Sequence, residues 1–562
     1  MQGMFDIVLL HPPPILFPEP YPIFPIPWCP EFIGSTDDLD LFPMPERFTA
    51  MPAGLHGLKS YLAAQGRRTE VLNLAQVSRR VYAQIRAQVQ PVSGPVDSML
   101  EAWEEAYRAV KSLIQGFPAR LYGIDLQWLV YVAGFSELCR MVKQIHPGSK
   151  IVAGGITAGM YGEELLSQVP ALDFVIRGDA YGTLPALYER ILRGDGYDRI
   201  AGLVYRHRGV LCRTSLSLSC VPEKSRVQDA RCDAARESSV VFLRSKCPMD
   251  CVTCGGRKQV GGDPAGRELE GLSSLQRQIL AVGDRAGVPG EQTSRVYLVH
   301  DPVFTVGEDR FESLLRGLSE AGFSRPLGLE FFRPPPRRLL SNLEETFPTS
   351  TLQISPESSS EDLRKVQRGT SYSNDELETF IRFVKESSGL TLRCWFMLGI
   401  PWDTPDTMKQ TAQDVADLYR GNGEAARRIH YLCTPMTQVD PGSPAFVDPN
   451  RFGYRLLWTG LGEAEFRMSH PHPFARWNFV PSSENSSSSF FRNVLDVLDL
   501  MNRIYARYGL CSQQWTRRAC RYNDLLRQSW ESYQRLGGIR SALERRKACM
   551  QLGRELIESY YG

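Results

Sequence analysis

The sequence lacks several features of membrane and nucleic-acid-binding proteins. No stretch reaches the roughly 18 apolar residues needed to span a bilayer. The first residues, MQGMFDIVLLHPPP, have neither a basic start nor a small-residue cleavage site. Lys and Arg (65) nearly balance Asp and Glu (63), so the formal net charge is only +2. This balance gives no electrostatic reason to expect nucleic acid or a membrane surface as a partner. We therefore expect a cytoplasmic protein with a small-molecule ligand.

The 562 residues exceed one typical domain, so two or three packed units are expected. The hydrophobic share of 43% is ample for their cores. Thirteen cysteines in a cytoplasmic protein indicate thiols and metal ligands more than disulfides. Ten of them are scattered, and three lie close together at Cys247, Cys251 and Cys254.

Residues 1–213 alternate short β-type runs with helical patterns, which predicts an α/β fold with a doubly wound, Rossmann-like sheet. Strands are expected near residues 6–10, 69–74, 121–126, 150–153 and 174–176. Ligands of such sheets lie beyond the carboxyl ends of the strands. The segments expected there are 11–14, 127–134, 154–159 and 177–182.

Three further regions follow. Residues 214–238 are polar and mixed, which suggests a linker. Residues 239–440 form a second β/α series, with strands near 240–244, 295–299, 327–331, 351–354 and 392–398, and are expected to form a partial (β/α) barrel. Residues 441–562 are mostly helical in pattern and are expected to cap the substrate site.

The three clustered cysteines have the spacing C-x3-C-x2-C and follow the first predicted strand of the second unit. Three thiolates on one loop can bind three corners of a [4Fe–4S] cluster. No fourth cysteine lies nearby, which leaves one iron open for a substrate or cofactor. The alternatives are a zinc site and a chance cluster. Zinc sites usually pair two such units, and no second pair is evident.

This spacing after a first β-strand resembles the radical S-adenosylmethionine (SAM) superfamily, whose open iron chelates the amino and carboxylate groups of SAM. The resemblance implies SAM contacts from the later strand ends, at Asp301, Ser355 and Gly399. The segment His300-Asp301-Pro302 departs from the Gly-Gly-Glu-like turn that is usual in the family. Taken singly, each segment could be an ordinary strand-end turn.

The order of the two units resembles the cobalamin-dependent radical SAM enzymes, over roughly residues 4–440. The resemblance implies that cobalamin is bound by Gln127, Gly154, Gly155, Gly178 and Asp179. The chain lacks the Asp-x-His-x-x-Gly motif that supplies a histidine to cobalt in methionine-synthase-like domains. A histidine ligand to cobalt is therefore not expected. The alternative for the whole domain is a related fold without cobalamin.

Tyr297, Glu330 and Glu357 are the candidate catalytic residues, because each lies in or at the end of a predicted barrel strand. A buried carboxylate needs a partner, so the two glutamates could contact substrate or SAM. A strand tyrosine is more often part of a core.

The resemblance implies a C-methyltransferase that moves a methyl group from SAM through methylcobalamin to a carbon of a small molecule, such as an aromatic amino acid or natural product. An electron donor of the flavodoxin or ferredoxin type would be its protein partner. The rivals are a cobalamin-linked radical SAM cyclase or rearranging enzyme, and a metal-bound scaffold without catalysis.

Overall fold

The structure is a computed structural model. It describes residues 3–14, 16, 52–88, 95–216, 227–228, 239–243, 247, 249–256, 272–285, 295–369, 372–422, 428–436, 438–468, 470, 472–482, 487–536, 539 and 542–561. Within these residues, no helix has both the length and the apolar character needed to cross a membrane.

The first unit is built on a seven-stranded sheet with the order β2-β1-β3-β4-β5-β6-β7. The first five strands pair in parallel, and a hairpin adds the last two in antiparallel fashion. The strands are β1 (Phe5–His11), β2 (Thr69–Asn73), β3 (Ala119–Asp125), β4 (Lys150–Gly154), β5 (Phe174–Ile176), β6 (Leu203–His207) and β7 (Val210–Arg213).

Both faces of this sheet are covered, because successive side chains of each strand point to opposite sides. In β1, Val8 and Leu10 pack in one apolar core, and Ile7 and Leu9 pack in another. The predicted doubly wound fold is confirmed. Its helices are α1 (Ala53–Ala64), α2 (Leu74–Gln88), α3 (Pro95–Gly116), α4 (Val132–Ile145), α5 (Ile156–Met160), α6 (Gly162–Gln168) and α7 (Ala180–Arg193).

The second unit is a curved sheet with the order β14-β13-β12-β11-β10-β9-β8. Its strands are β8 (Val227–Gln228), β9 (Ser239–Phe242), β10 (Val296–Val299), β11 (Leu327–Phe331), β12 (Thr351–Glu357), β13 (Thr391–Leu398) and β14 (Ile429–Pro435). All neighbours pair in parallel except β8 and β9, so six strands form the predicted partial barrel.

Helices cover the outer face of this barrel, where a large apolar core lies. They are α8 (Leu272–Arg285), α9 (Pro302–Val306), α10 (Glu308–Glu320), α11 (Arg337–Thr346), α12 (Glu361–Arg368), α13 (Asn374–Glu386) and α14 (Pro405–Asn422). To this second sheet the structure adds two strands that were not predicted from the sequence. These are β14, and β8 within the predicted linker.

The C-terminal region contains more than helices, because a short antiparallel pair precedes its long helices. The elements are α15 (Pro444–Val447), β15 (Tyr454–Leu456), α16 (Leu461–Met468), β16 (Phe479–Pro481), α17 (Ser487–Arg507), α18 (Gln513–Leu536) and α19 (Ala542–Tyr561). Helix α17 packs on the edge strand β14, where the Tyr505 hydroxyl accepts a hydrogen bond from the Cys433 N–H at 3.0 Å. The edge of the barrel is thereby covered.

Candidate functional site

The loop that carries the three clustered cysteines follows β9, at the carboxyl edge of the partial barrel. Cys247 and Cys251 are half-buried, and Cys254 reaches the surface. Burial raises the pKa of all three thiols, to about 11 for Cys251 and about 12 for Cys254. The thiols therefore stay protonated at neutral pH unless a metal binds and displaces their protons.

Helix α12 holds this loop from one side. The Val252 N–H donates to the carbonyl oxygen of Gln367 at 2.9 Å. The side-chain amide of Gln367 donates to the Thr253 hydroxyl at 2.6 Å. Gln367 is 2% exposed, so these bonds lie inside the protein. Gln367 thus accepts one hydrogen bond and donates another, and together the two bonds hold the segment between Cys251 and Cys254 in place.

The segment after β14 holds the loop from the other side. The Asp440 N–H donates to the Thr253 carbonyl at 3.0 Å, and the Asp440 carboxylate accepts from the Gly255 N–H at 3.1 Å. The Ala445 N–H donates to the Val252 carbonyl at 2.9 Å. Burial raises the pKa of Asp440 to about 6. Sequence reasoning identified neither Gln367 nor Asp440, because each acts on the loop from more than 100 residues away in the chain.

The loop offers a donor set that suits a [4Fe–4S] cluster. Cys254 interacts electrostatically with both Cys251 and Cys247, so the three sulfurs share one small region. A cluster of this kind takes each thiolate on a different iron atom. Among the described residues, no three His, Cys, Asp or Glu side chains converge as ligands of one metal ion.

Glu357, a predicted catalytic residue, forms a buried ion pair beside this loop. Its carboxylate accepts a hydrogen bond from Nε of Arg368 at 2.7 Å. Glu357 ends β12 with a φ of +68°, a conformation that L-residues rarely adopt. Its second oxygen, Oε2, is buried without a hydrogen-bond partner in the described part of the chain. Arg368 also lowers the pKa of Cys251 against the larger effect of burial, so its charge reaches the loop.

Glu330 and Asp301 lie at the ends of neighbouring strands on the same edge. Burial raises the pKa of Glu330, and Arg368 partly offsets that rise. Glu330 in turn raises the pKa of Cys247, which places it near the loop. Asp301 is 1% exposed, and its carboxylate accepts from the N–H groups of Phe332 at 2.7 Å and Phe304 at 3.0 Å. Asp301 therefore links the ends of β10 and β11, and its predicted contact with SAM stays a prediction.

Tyr297 lies over a glycine in the neighbouring strand. The two residues are paired in register, and a methyl group at Gly328 would lie 2.2 Å from Cδ1 of Tyr297. Tyr297 is partly exposed, whereas Val296 and Leu298 on either side of it are buried in the outer core. Its ring therefore faces the barrel interior, as a catalytic role requires.

Ser355 and Gly399 lie on the two strands next to this pair. Ser355 is buried within β12. Gly399 follows β13 with a φ of +82°; its N–H donates to Asp403 at 2.9 Å, and its carbonyl accepts from the Tyr454 hydroxyl at 3.0 Å. Burial raises the pKa of Asp403 to about 6. The backbone of this turn is thus fixed on both sides, and the predicted SAM contacts remain predictions.

The first unit has a cavity of about 540 Å³ at the carboxyl edge of its sheet. Gln127, Gly154 and Gly155 line it, so three predicted cobalamin contacts share one wall. Gly155 has a φ of +101°, and a Cβ there would lie 2.9 Å from the backbone of Leu126. A Cβ on Gly154 would meet nothing within 4 Å. Gly154 is therefore open to the cavity, and the backbone conformation at position 155 requires glycine.

Gly178 and Asp179 do not line this cavity. Gly178 borders a separate, more polar cavity of about 420 Å³, together with Arg177 and Arg213. Asp179 caps α7, where its carboxylate accepts from the Tyr181 N–H at 2.8 Å. The structure therefore brings three of the five predicted cobalamin contacts together and sets the other two apart.

A histidine–aspartate pair lies in the wall of the larger cavity. Nδ1 of His11 lies 3.0 Å from both carboxylate oxygens of Asp125. The two residues end the adjacent strands β1 and β3, and both line the cavity. The His11 ring meets Tyr131 edge-on, with 5.0 Å between centroids. Sequence analysis did not select His11, because its carboxylate partner lies 114 residues away.

The two units meet beside the cysteine loop. The Tyr161 hydroxyl donates to the Thr459 carbonyl at 2.9 Å, and the Leu461 N–H donates to Glu164 at 2.7 Å. Met160 touches Gly442, two residues beyond Asp440. The segment that holds the cysteine loop therefore also packs on the first unit.

No family model matches this chain, and no curated protein matches it. Solved structures do. The radical SAM methyltransferase TsrM from Kitasatospora setae, with tryptophan and a SAM analogue bound, superposes with a TM-score of 0.56 at 13% identity over 95% of this chain and 99% of TsrM. The cobalamin-dependent SAM radical enzyme OxsB, with aqua-cobalamin and SAM bound, gives 0.55 at 11% identity over 100% of this chain and 80% of OxsB. TsrM with cobalamin and a [4Fe–4S] cluster gives 0.54 at 12% identity over both full chains. The chain therefore has the fold of these two cobalamin-dependent radical SAM enzymes.

Proposed function

We propose that this protein is a cobalamin-dependent radical SAM C-methyltransferase, which moves a methyl group from SAM through cobalamin to a carbon of a small molecule. The main support for the proposal is the position of the cysteine loop relative to the first unit. A three-cysteine loop lies at the carboxyl edge of a partial barrel, and its supporting segment packs on a doubly wound unit with a cavity of about 540 Å³. The fold of TsrM and OxsB supports the proposal.

In this proposal the chain holds each cofactor with residues of a separate unit. Cys247, Cys251 and Cys254 hold a [4Fe–4S] cluster, and Gln127 and Gly154 contact cobalamin in the cavity. The bound cofactors would supply SAM activation and methyl transfer, with electrons from a flavodoxin or ferredoxin type of donor. Gln367 and Asp440 keep the cysteine backbone in place, so the three sulfurs do not have to be ordered when the cluster binds.

Arg368 has an electrostatic role near the predicted cluster. Three thiolates add negative charge to a half-buried loop, and a cation beside them offsets part of it. The Arg368 guanidinium is held by Glu357, which lies 4% exposed in its side chain. The pair therefore fixes the guanidinium close enough to Cys251 to lower the pKa of its thiol, an effect that the Glu357 carboxylate partly opposes.

The cysteines can be tested directly. Anaerobic reconstitution of Cys247→Ala, Cys251→Ala and Cys254→Ala should give protein without a [4Fe–4S] absorption band and without SAM turnover. Cys394→Ala is the matched control, because Cys394 is buried in the outer core and should keep its iron. Iron retained by all three loop variants would refute the cluster assignment.

Methyl-labelled SAM separates methyl transfer from the rival reactions. A methyltransferase passes label to the product, whereas a cyclase or rearranging enzyme does not. A scaffold without catalysis would leave SAM unconsumed under reducing conditions.

A further inference from the structure

Strand β13 has one face in the outer core and one face toward the barrel interior. Leu392, Cys394, Phe396 and Leu398 are buried and belong to the outer core. The residues between them are all partly exposed, which places them on the opposite, inner face. From the amino end of the strand to its carboxyl end, they are Thr391, Arg393, Trp395 and Met397.

Arg393 belongs to a row of polar residues that crosses the inner face. The register pairs Glu330 with Gln353, Gln353 with Arg393, and Arg393 with His430. In-register residues of parallel strands point to the same side, and each of these four is partly exposed. The row starts at Glu330, which acts electrostatically on Cys247. Since neighbouring strands are about 4.8 Å apart, Arg393 lies roughly 10 Å from Glu330.

Arg393 is a cation without a counter-charge in the described part of the chain. Its Nε is buried with no hydrogen-bond partner there, and no carboxylate forms an ion pair with it there. The cation that acts on Glu330 is Arg368, which is already paired with Glu357. Its side chain as a whole is partly exposed, so the guanidinium is accessible from the barrel interior. A guanidinium in the interior of a barrel is suited to bind a carboxylate in a two-pronged way.

We propose that Arg393 binds a carboxylate of the substrate, and that the substrate is therefore a small carboxylic acid. The inference rests on the proposed function and adds a substrate class to it. Trp395 and Met397 lie between Arg393 and the carboxyl end of β13, so they would pack against the apolar body of the substrate. The roughly 10 Å between Arg393 and the cysteine side of the barrel accommodates a molecule of that size.

SAM also has a carboxylate, but the position of Arg393 favours the substrate. Arg393 comes five residues before the end of β13, and roughly 20 Å along the strand separate it from the turn at Gly399. SAM is expected at the carboxyl edge, where the open iron would chelate its carboxylate. Arg393 thus lies deeper in the barrel than the carboxyl end of its own strand.

The test uses reconstituted enzyme with SAM bound and three probe pairs that differ only in a carboxylate: tryptophan and tryptamine, tyrosine and tyramine, phenylalanine and phenethylamine. Equilibrium dialysis should show that the wild-type protein prefers the acid in at least one pair by about 30-fold or more. Arg393→Gln should abolish this preference, and Arg393→Lys should keep part of it. Arg333→Gln, at an exposed arginine of the same barrel, should match the wild type.

Iron content and SAM affinity are measured on the same samples. Equal binding of acid and amine by the wild-type protein in every pair, or an unchanged preference in Arg393→Gln, would overturn the inference. A loss of SAM affinity in Arg393→Gln with intact iron would also overturn it, since Arg393 would then hold the carboxylate of SAM. Wild-type protein without iron or SAM binding would instead refute the proposed function itself.

Discussion

The two adjacent glycines at the end of β4 allow the cobalamin site to be tested separately from the fold. Gly154 faces open space in the cavity, where a Cβ meets nothing within 4 Å. Gly155 has φ +101° and ψ 177°, a region that is essentially restricted to glycine. Gly154→Val should therefore fill the cavity without disturbing the backbone, and Gly155→Ala should disturb the backbone.

Gly155→Ala should mainly lower the stability of the protein, and Gly154→Val should mainly lower its affinity for cobalamin. For Gly155→Ala, the strained φ costs about 1–3 kcal/mol. The contact at 2.9 Å with the Leu126 backbone adds about 1–3 kcal/mol. The free energy of unfolding should thus fall by about 2–6 kcal/mol. For Gly154→Val it should change by less than about 1 kcal/mol, because a β-branched residue suits a strand. Cobalamin affinity should nevertheless fall by about tenfold or more, since the added carbons would occupy space that the bound cofactor needs.

Hydroxocobalamin titration by visible absorption measures the affinity, and denaturant unfolding by circular dichroism measures the stability. Gly154→Ala serves as a graded control with an intermediate loss of affinity. If folded Gly154→Val binds cobalamin as tightly as the wild type, this cavity does not hold the cofactor. If Gly155→Ala unfolds like the wild type, the backbone argument is incorrect.

Arg368→Met should lower the free energy of unfolding by about 3–5 kcal/mol, because it leaves the Glu357 carboxylate buried without its ion-pair partner. Adding Glu357→Gln should restore part of that loss in denaturant unfolding; a strictly additive double variant would contradict the pairing. Gly328→Ala should cost about 1–3 kcal/mol by displacing the Tyr297 ring, and much less in a Tyr297→Ala background. Asp403, with a pKa raised to about 6, binds a proton more tightly when folded, so its contribution is fully present below about pH 4 and is lost as pH rises through 6. Relative to Asp403→Asn, the wild type should lose about 1–3 kcal/mol between pH 4 and 7, and parallel pH profiles of the two proteins would refute this.

The alternation of strands and helices predicted both sheets, because parallel strands of one sheet need crossover connections, which are usually helices. Strand β14 was missed. Its sequence is IHYLCTP. Its assignment depends on pairing with β13, which only the folded chain reveals.

The sequence by itself named the candidate metal donors, since Cys247, Cys251 and Cys254 lie within eight residues and their proposed chemistry needs no distant partner. It also placed Gly154 and Gly155 at a strand end. Only the tertiary structure decided which groups surround these residues.

The pairing of Glu357 with Arg368, the support of the loop by Asp440 and the row that places Arg393 in the barrel interior all depend on strand register and helix packing. Hydrogen bonds and ion pairs act over a few ångströms, and residues far apart in the chain reach that distance only after the sheets have formed. A linear pattern can name the reactive groups, but it cannot show which charges are paired and which one is left for a ligand.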